Sequence, residues 1–168
     1  KGAMDFVRAA HLAVAKNPAL AFLIAGHGPD DFVVELRRRI AAGPAADRIR
    51  LVPPQPEIWP LLAAVDVVAV TTLWPDPLPR VVMEAMAVGK PIVGYDGGGV
   101  PEMVVDGETG HLVRTGDEVG LADAWLRLAA DEGLRQRMGN AGANRAHQQC
   151  SIEKYTSHRE DALVAVTR

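Results

Sequence analysis

The chain has 168 residues, 48% of them hydrophobic and 23% charged, with a formal net charge of -3. That length buries roughly 70% of the unfolded surface, enough for one independent core, so a single domain over residues 1–168 is expected. The mild acidity and the lack of a basic stripe argue against nucleic acid, and the lone Cys150 permits no intrachain disulfide and fits a reducing, cytoplasmic compartment.

Residues 3–16, AMDFVRAAHLAVAK, repeat Phe6, Ala10, Ala13 and Val14 at helical spacing, and Asn17-Pro18 ends the run. LAFLIAG is short and wholly apolar, as a strand buried on both faces must be. GHGPDD reads as a turn, and the next helix, over about 30–42, stops near Gly43-Pro44. IRLVP predicts a strand, 56–64 a short helix, VDVVAVT a buried strand, 79–88 a helix and PIVGY a further strand. GVPEMV predicts a helical turn, and DGETGHLV a turn with a last short strand. From 117 onward the pattern is helical, with breaks expected near Asp131, near Gly139-Asn140 and before Ser151. A final helix over 151–166 would carry Ile152, Tyr155 and Leu163 on its apolar side.

Apolar strands alternating with helices predict an α/β fold: a doubly wound, Rossmann-like parallel sheet with helices on both faces. Such folds bind ligands beyond the carboxyl ends of their strands. The sequence opens with Lys1-Gly2 directly before a helix, without the strand that ordinarily starts such a sheet, so a fragment lacking the first strand is expected.

The densest chemistry lies in WPDPLPRVVMEAMAVGKPIVGYDGGGVPE, residues 74–102. Asp76 precedes a helix whose first turn accepts Pro79, and Glu84 lies about a turn and a half inside it. The free amides and dipole at such a helix start favour a phosphate. Carboxylates on either side accept hydrogen bonds from hydroxyls. A diphosphate with hydroxyls at both ends, as in a nucleotide sugar, satisfies that set. Read singly, Asp76 is a helix cap and Glu84 a solvated helix residue. Gly97, Gly98 and Gly99 would let the backbone approach a donor closely; their plainer reading is a strand-to-helix turn. Trp59 and Trp125 are expected to pack, and Trp74 either to line the cleft or to pack.

These residues resemble the donor-binding, C-terminal lobe of retaining GT-B glycosyltransferases of the glycosyl transferases group 1 type. The family's acid, seven residues, then Glu is similar to DPLPRVVME, and Gly-Gly-x-Pro-Glu with Gly-x-x-Gly to GGGVPEMVVDGETGHLV. KG at Lys1, LIAGHGP with Gly26 and Gly28, and AAVDVVAVTT complete the series in the family's order. The resemblance implies that Asp76 sits near the donor sugar and that Glu84 holds the ribose hydroxyls. The main-chain amides around Leu78, Arg80 and Val81 would cradle the diphosphate, Lys1 would neutralise it, and Val52 would lie where the base falls. Gly98 belongs to the glycine turn close to the donor. No cofactor is implied beyond the donor substrate, and no metal is expected, since the sequence contains no Asp-x-Asp and its histidines show no ligand spacing.

The departures are specific. Asp76 is one methylene shorter than the usual Glu, Pro79 replaces a glycine that donates an amide, Val81 has no hydroxyl, and Pro53 stiffens the loop near the base. The arginine that the family pairs with the lysine would precede residue 1. The resemblance further implies an acceptor-binding N-terminal lobe of the same protein, peripheral membrane contact at most for the full enzyme, and little or no transfer by this lobe alone. Two other readings stay open: a nucleotide-sugar 2-epimerase of the same architecture, and a nucleotide-binding module without turnover. GHGPDD lacks the third glycine of a dinucleotide fingerprint, which counts against a dinucleotide.

Overall fold

The computed structural model describes residues 1–149. The expected helix over 151–166 and Cys150 lie outside the described residues. Helix α1 (Ala3–Lys16) leads to β1 (Phe22–Ala25), α2 (Asp30–Ala41), β2 (Ile49–Val52), α3 (Trp59–Ala64) and β3 (Val68–Val70). Then come α4 (Arg80–Ala87), β4 (Ile92–Tyr95), α5 (Val100–Met103), β5 (Gly110–Val113), α6 (Glu118–Ala130) and α7 (Glu132–Gln149).

All strand pairs are parallel. The parallel α/β arrangement is as expected, with the strands in two ladders: β1 pairs with β2, and β4 lies between β3 and β5. Among the described residues β1 and β3 share no ladder.

The strands feed two cores by alternation, since successive side chains leave a strand on opposite faces. Along β4, Ile92 enters one cluster with Leu62, Val82 and Met86. Val93 and Tyr95 enter the other, with Val7, Ala13, Leu121 and Leu128. Helices therefore cover both faces, as the unbroken apolar strands require. On α1, the small residues Ala9, Ala10 and Ala13 are wholly buried, which lets the helix lie close against α6. Phe6, Phe22 and Trp125 meet there edge to face or tilted, with ring centroids 5.1–5.7 Å apart. Such pairs add about 0.5–1.5 kcal/mol each beyond their burial.

One charged group is embedded in this core. Asp5 is buried, accepting hydrogen bonds from the Tyr95 hydroxyl at 2.9 Å and from Arg8 Nη2 at 2.7 Å. A buried carboxylate without partners would cost several kcal/mol; Arg8 from the same helix and Tyr95 from β4 offset that cost, and the Tyr95 bond ties α1 to β4.

Three expectations change. α7 runs unbroken through Gly139-Asn140. Gly139 is there for proximity: a Cβ on it would fall 2.0 Å from the Gly89 carbonyl oxygen, where α7 crosses the end of α4. Pro79 is the residue before α4 rather than within its first turn, with an extended backbone at ψ 96°. Trp125 packs as expected, whereas Trp59 is 49% exposed, because α3 is short and buries only Leu62. The break at Asp131 is present, between α6 and α7.

Candidate functional site

A cavity of about 490 Å³ opens at the carboxyl ends of β1 and β3. Its walls are Leu23–Ala25 and Ala69–Thr72, its floor includes Ala3 and Phe6 of α1, and its rim carries Lys1, Asp76 and the start of α4.

The rim is built by the loop after β3. Thr71 is buried, and its Oγ1 donates to the Lys1 carbonyl at 3.3 Å. Gly2 packs so tightly on Thr71 that a Cβ would lie 1.7 Å from the Thr71 oxygen, and its φ of 71° is one that glycine adopts without cost. Lys1 is thereby fixed at the cavity mouth, and its Nζ lies 3.6 Å from Asp76 Oδ2. Lys1 is 84% exposed, so this ion pair is worth only about 0–1 kcal/mol and leaves the ammonium available to an anion.

Asp76 does two things. One oxygen faces Lys1; the other accepts from the Leu78 amide at 3.2 Å. The Leu78 N–H, expected to serve a phosphate, is therefore taken by Asp76, and Pro79 has none to give. The N–H groups of Arg80 and Val81 have no partner among the described residues. They form the open start of α4, and both residues line the cavity. Glu84 does not line it. It lies one turn along the same helix face, with Oε1 3.3 Å from Arg80 Nη2. Arg80 is 79% exposed, so that pair is loose as well.

The glycine turn reaches the site indirectly. Gly98 has φ 57°, and a Cβ there would fall 2.5 Å from the Asp76 carbonyl oxygen; one on Gly99 would fall 2.2 Å from that of Pro77. The Gly99 N–H donates to the Asp76 carbonyl at 2.8 Å. What these glycines approach closely is the Asp76-Pro77 backbone, so they set the position of the first acid. Gly26, Gly28 and Val52 do not line the cavity; they lie just beyond it. Ala25, which does line it, pairs in register with Val52, and Gly26 donates to the Val52 carbonyl at 3.0 Å. His27 is exposed in the same turn.

Lys1, Asp76, Leu78, Arg80 and Val81 thus share one cavity, with Glu84 and Gly98 attached to it through Arg80 and Asp76. Sequence reasoning missed the Arg80 side chain, whose i,i+4 relation to Glu84 was legible, and the buried Thr71, whose signal was a hydroxyl ending an apolar strand. Trp74 is 79% exposed beside Asp76, and Leu78 is 56% exposed. Among the described residues no group of three potential ligands could hold a metal ion, and no helix is long and apolar enough to cross a membrane.

Known proteins resemble this chain in sequence and in fold. The chain is 31% identical over its whole length to N-acetyl-alpha-D-glucosaminyl L-malate synthase of Bacillus anthracis, covering 43% of that protein. It is 41% identical over 67% of its length to D-inositol 3-phosphate glycosyltransferase of Corynebacterium diphtheriae, covering 26% of it. The crystal structure of Anabaena Alr3699/HepE in complex with UDP and glucose superposes with a TM-score of 0.85 at 27% identity, over 94% of this chain and 44% of that one. The C-terminal domain of a glycosyl transferase group 1 family protein (LpcC) from Francisella tularensis superposes with a TM-score of 0.81 at 25% identity, over 90% and 80% respectively. The chain spans less than half the length of the curated relatives and of the Anabaena protein. The family model for glycosyl transferases group 1 matches residues 1–131, a stretch that holds every residue of the site, and the chain belongs to that family.

Proposed function

We propose that this chain is the donor-binding, C-terminal lobe of a retaining glycosyltransferase that takes its sugar from a nucleoside-diphosphate sugar. The observation that carries the reading is the convergence of Lys1, Asp76 and the unpartnered Arg80 and Val81 amides on one cavity, with Glu84 one helical turn away. The Anabaena relative, crystallised with UDP and glucose, supports the ligand class.

In this reading the α4 amides and Lys1 receive the diphosphate. Its charge grows as it leaves the anomeric carbon, and donors already fixed in place strengthen as that charge develops. No metal is required for that role. Glu84 turns from Arg80 to accept from the ribose hydroxyls. Asp76, held by the Leu78 amide and the glycine turn, faces the donor sugar. Gly26, Gly28 and Val52, at the ends of β1 and β2, flank the base. The acceptor is bound by an N-terminal lobe of the same protein, so this lobe alone binds nucleotide and transfers little sugar. In the full enzyme, contact with a membrane is peripheral.

Calorimetry tests the reading. UDP, GDP and ADP are compared with NAD, and binding of a nucleoside diphosphate in preference to NAD is expected. Glu84→Ala should lose about 1–3 kcal/mol of that affinity, the value of a hydrogen bond from a buried diol to a carboxylate. An unchanged affinity in this variant would remove Glu84 from the site, and with it the ribose assignment.

A further inference from the structure

The start of α4 has few main-chain donors left for an anion. The Leu78 amide is taken by Asp76 at 3.2 Å, Pro79 has none, and the Val82 amide turns back to the Pro79 carbonyl at 2.9 Å. The Arg80 and Val81 amides stay open among the described residues. The charged residues that line the cavity are Lys1, Asp76 and Arg80, so Lys1 alone is too little cation for a diphosphate. The Arg80 side chain supplies what is missing. Its guanidinium is rich in N–H donors and mostly exposed, and its partner among the described residues is Glu84, with Nη2 3.3 Å from Oε1. Arg80 is the first residue of α4, where the Cα–Cβ bond leans toward the helix start. Rotation of the side chain alone therefore carries the guanidinium from Glu84 to the space in front of the open amides.

We propose, on the donor reading above, that the Arg80 side chain binds the diphosphate and changes partners to do so, leaving Glu84 for the phosphate oxygens. The site contains two weak cation–carboxylate pairs, Lys1 with Asp76 and Arg80 with Glu84, on either side of the open amides. In each pair the cation is mostly exposed and the acid more sheltered. Water screens both pairs, so little is lost when they part. A diphosphate carries more negative charge than either carboxylate, and an arginine grips phosphate through two parallel N–H bonds. The cations pass to the phosphates, and the acids are released to the hydroxyls of the same ligand. The two halves of the site are thereby coupled. A nucleoside alone competes with Arg80 for Glu84, whereas its diphosphate draws that competitor away. The Arg80–Glu84 pair thus makes the site prefer a nucleoside diphosphate to the bare nucleoside. Pro79 fits this arrangement: a residue that cannot donate stands directly before the one whose side chain replaces its amide.

The test uses whichever of UDP, GDP and ADP the native chain binds most tightly, together with the matching nucleoside. Both affinities are measured by NMR titration in the native chain, in Arg80→Gln and in Arg80→Met. The exposure of this side chain leaves the core untouched in both variants. Losing hydrogen bonds to a charged group should lower the preference for diphosphate over nucleoside at least about tenfold in each. The nucleoside itself should bind as tightly as before or more tightly, since Glu84 is freed. A smaller fall in preference overturns the proposal. So does weaker nucleoside binding by the variants, which would show that Arg80 serves to hold Glu84 in place. A native chain that binds none of the three diphosphates overturns the donor reading and the exchange together. A native chain that binds one of them, with variants that keep its preference, overturns the exchange and leaves the donor reading standing.

Discussion

Gly98 and Asp76 are in backbone contact: a methyl group on Gly98 would fall 2.5 Å from the Asp76 carbonyl oxygen and 2.7 Å from its nitrogen. The φ of 57° at Gly98 adds strain for any other residue. Gly98→Ala is therefore expected to lose about 1–3 kcal/mol of stability in urea unfolding and to weaken UDP binding by moving Asp76. Gly97→Ala is the control, since its Cβ would meet only Thr115 Oγ1, at 3.4 Å. Equal effects from the two would show that the glycine turn does not position the acid.

α7 offers a sharper contrast. At Gly139 a Cβ would fall 2.0 Å from a backbone oxygen that cannot rotate away, whereas at Gly142 it would meet Met86 Cγ at 3.6 Å, an ordinary contact. Alanine gains about 1 kcal/mol over glycine in a helix, and overpacking costs about 1–3 kcal/mol. Gly139→Ala should lose stability on balance, and Gly142→Ala should gain about 0.5–1 kcal/mol. Denaturant midpoints of the two variants, measured side by side, decide this.

Tyr95→Phe removes the hydroxyl that donates to buried Asp5 and is expected to cost about 1.5–3 kcal/mol, as for a hydrogen bond to a charged group. Burial first, and then the Asp5 carboxylate, push the tyrosine above its ordinary value of 10. Above that value the unfolded chain releases this proton while the folded one keeps it, so stability falls as pH rises. Unfolding free energies from pH 8 to 11 should show this slope in the native chain and a shallower one in Tyr95→Phe.

Hydrogen bonds from Arg38 and then Arg39 lower the Glu35 carboxyl from 4.5 to about 2. A lowered carboxyl contributes stability above its unfolded value, and that contribution is lost as pH falls from about 4.5 toward 2. Glu35→Gln should therefore be less stable than the native chain at pH 6, and the gap should shrink below pH 4.5 and close below about pH 2. The gap at pH 6 should shrink in 1 M salt, because the three side chains are at the surface. A gap that stays as large at pH 2 as at pH 6 would assign the effect to packing.

The strands and most helices were legible because their signals are local: wholly apolar runs at 22–25, 68–70 and 92–95, and helix stops at Asn17 and Asp131. The misreadings are all non-local. Gly139 looks like a breaker until the Gly89 carbonyl is seen against it. Trp59 looks like core until α3 proves too short to bury it. At the site, the spacing of Asp76 and Glu84 placed both on α4 and its leading loop. The capture of the Leu78 amide depends on the direction of the Asp76 side chain, which spacing does not fix.

The three tryptophans occupy unlike surroundings. Trp125 is sealed among Phe6 and Phe22, while Trp74 stands nearly free, two residues from Asp76. The molecule thereby carries its own optical reporter. Iodide should quench the red-edge emission of Trp74 and Trp59 and spare the blue emission of Trp125, and a ligand settling over the cavity mouth should change the first signal without touching the second.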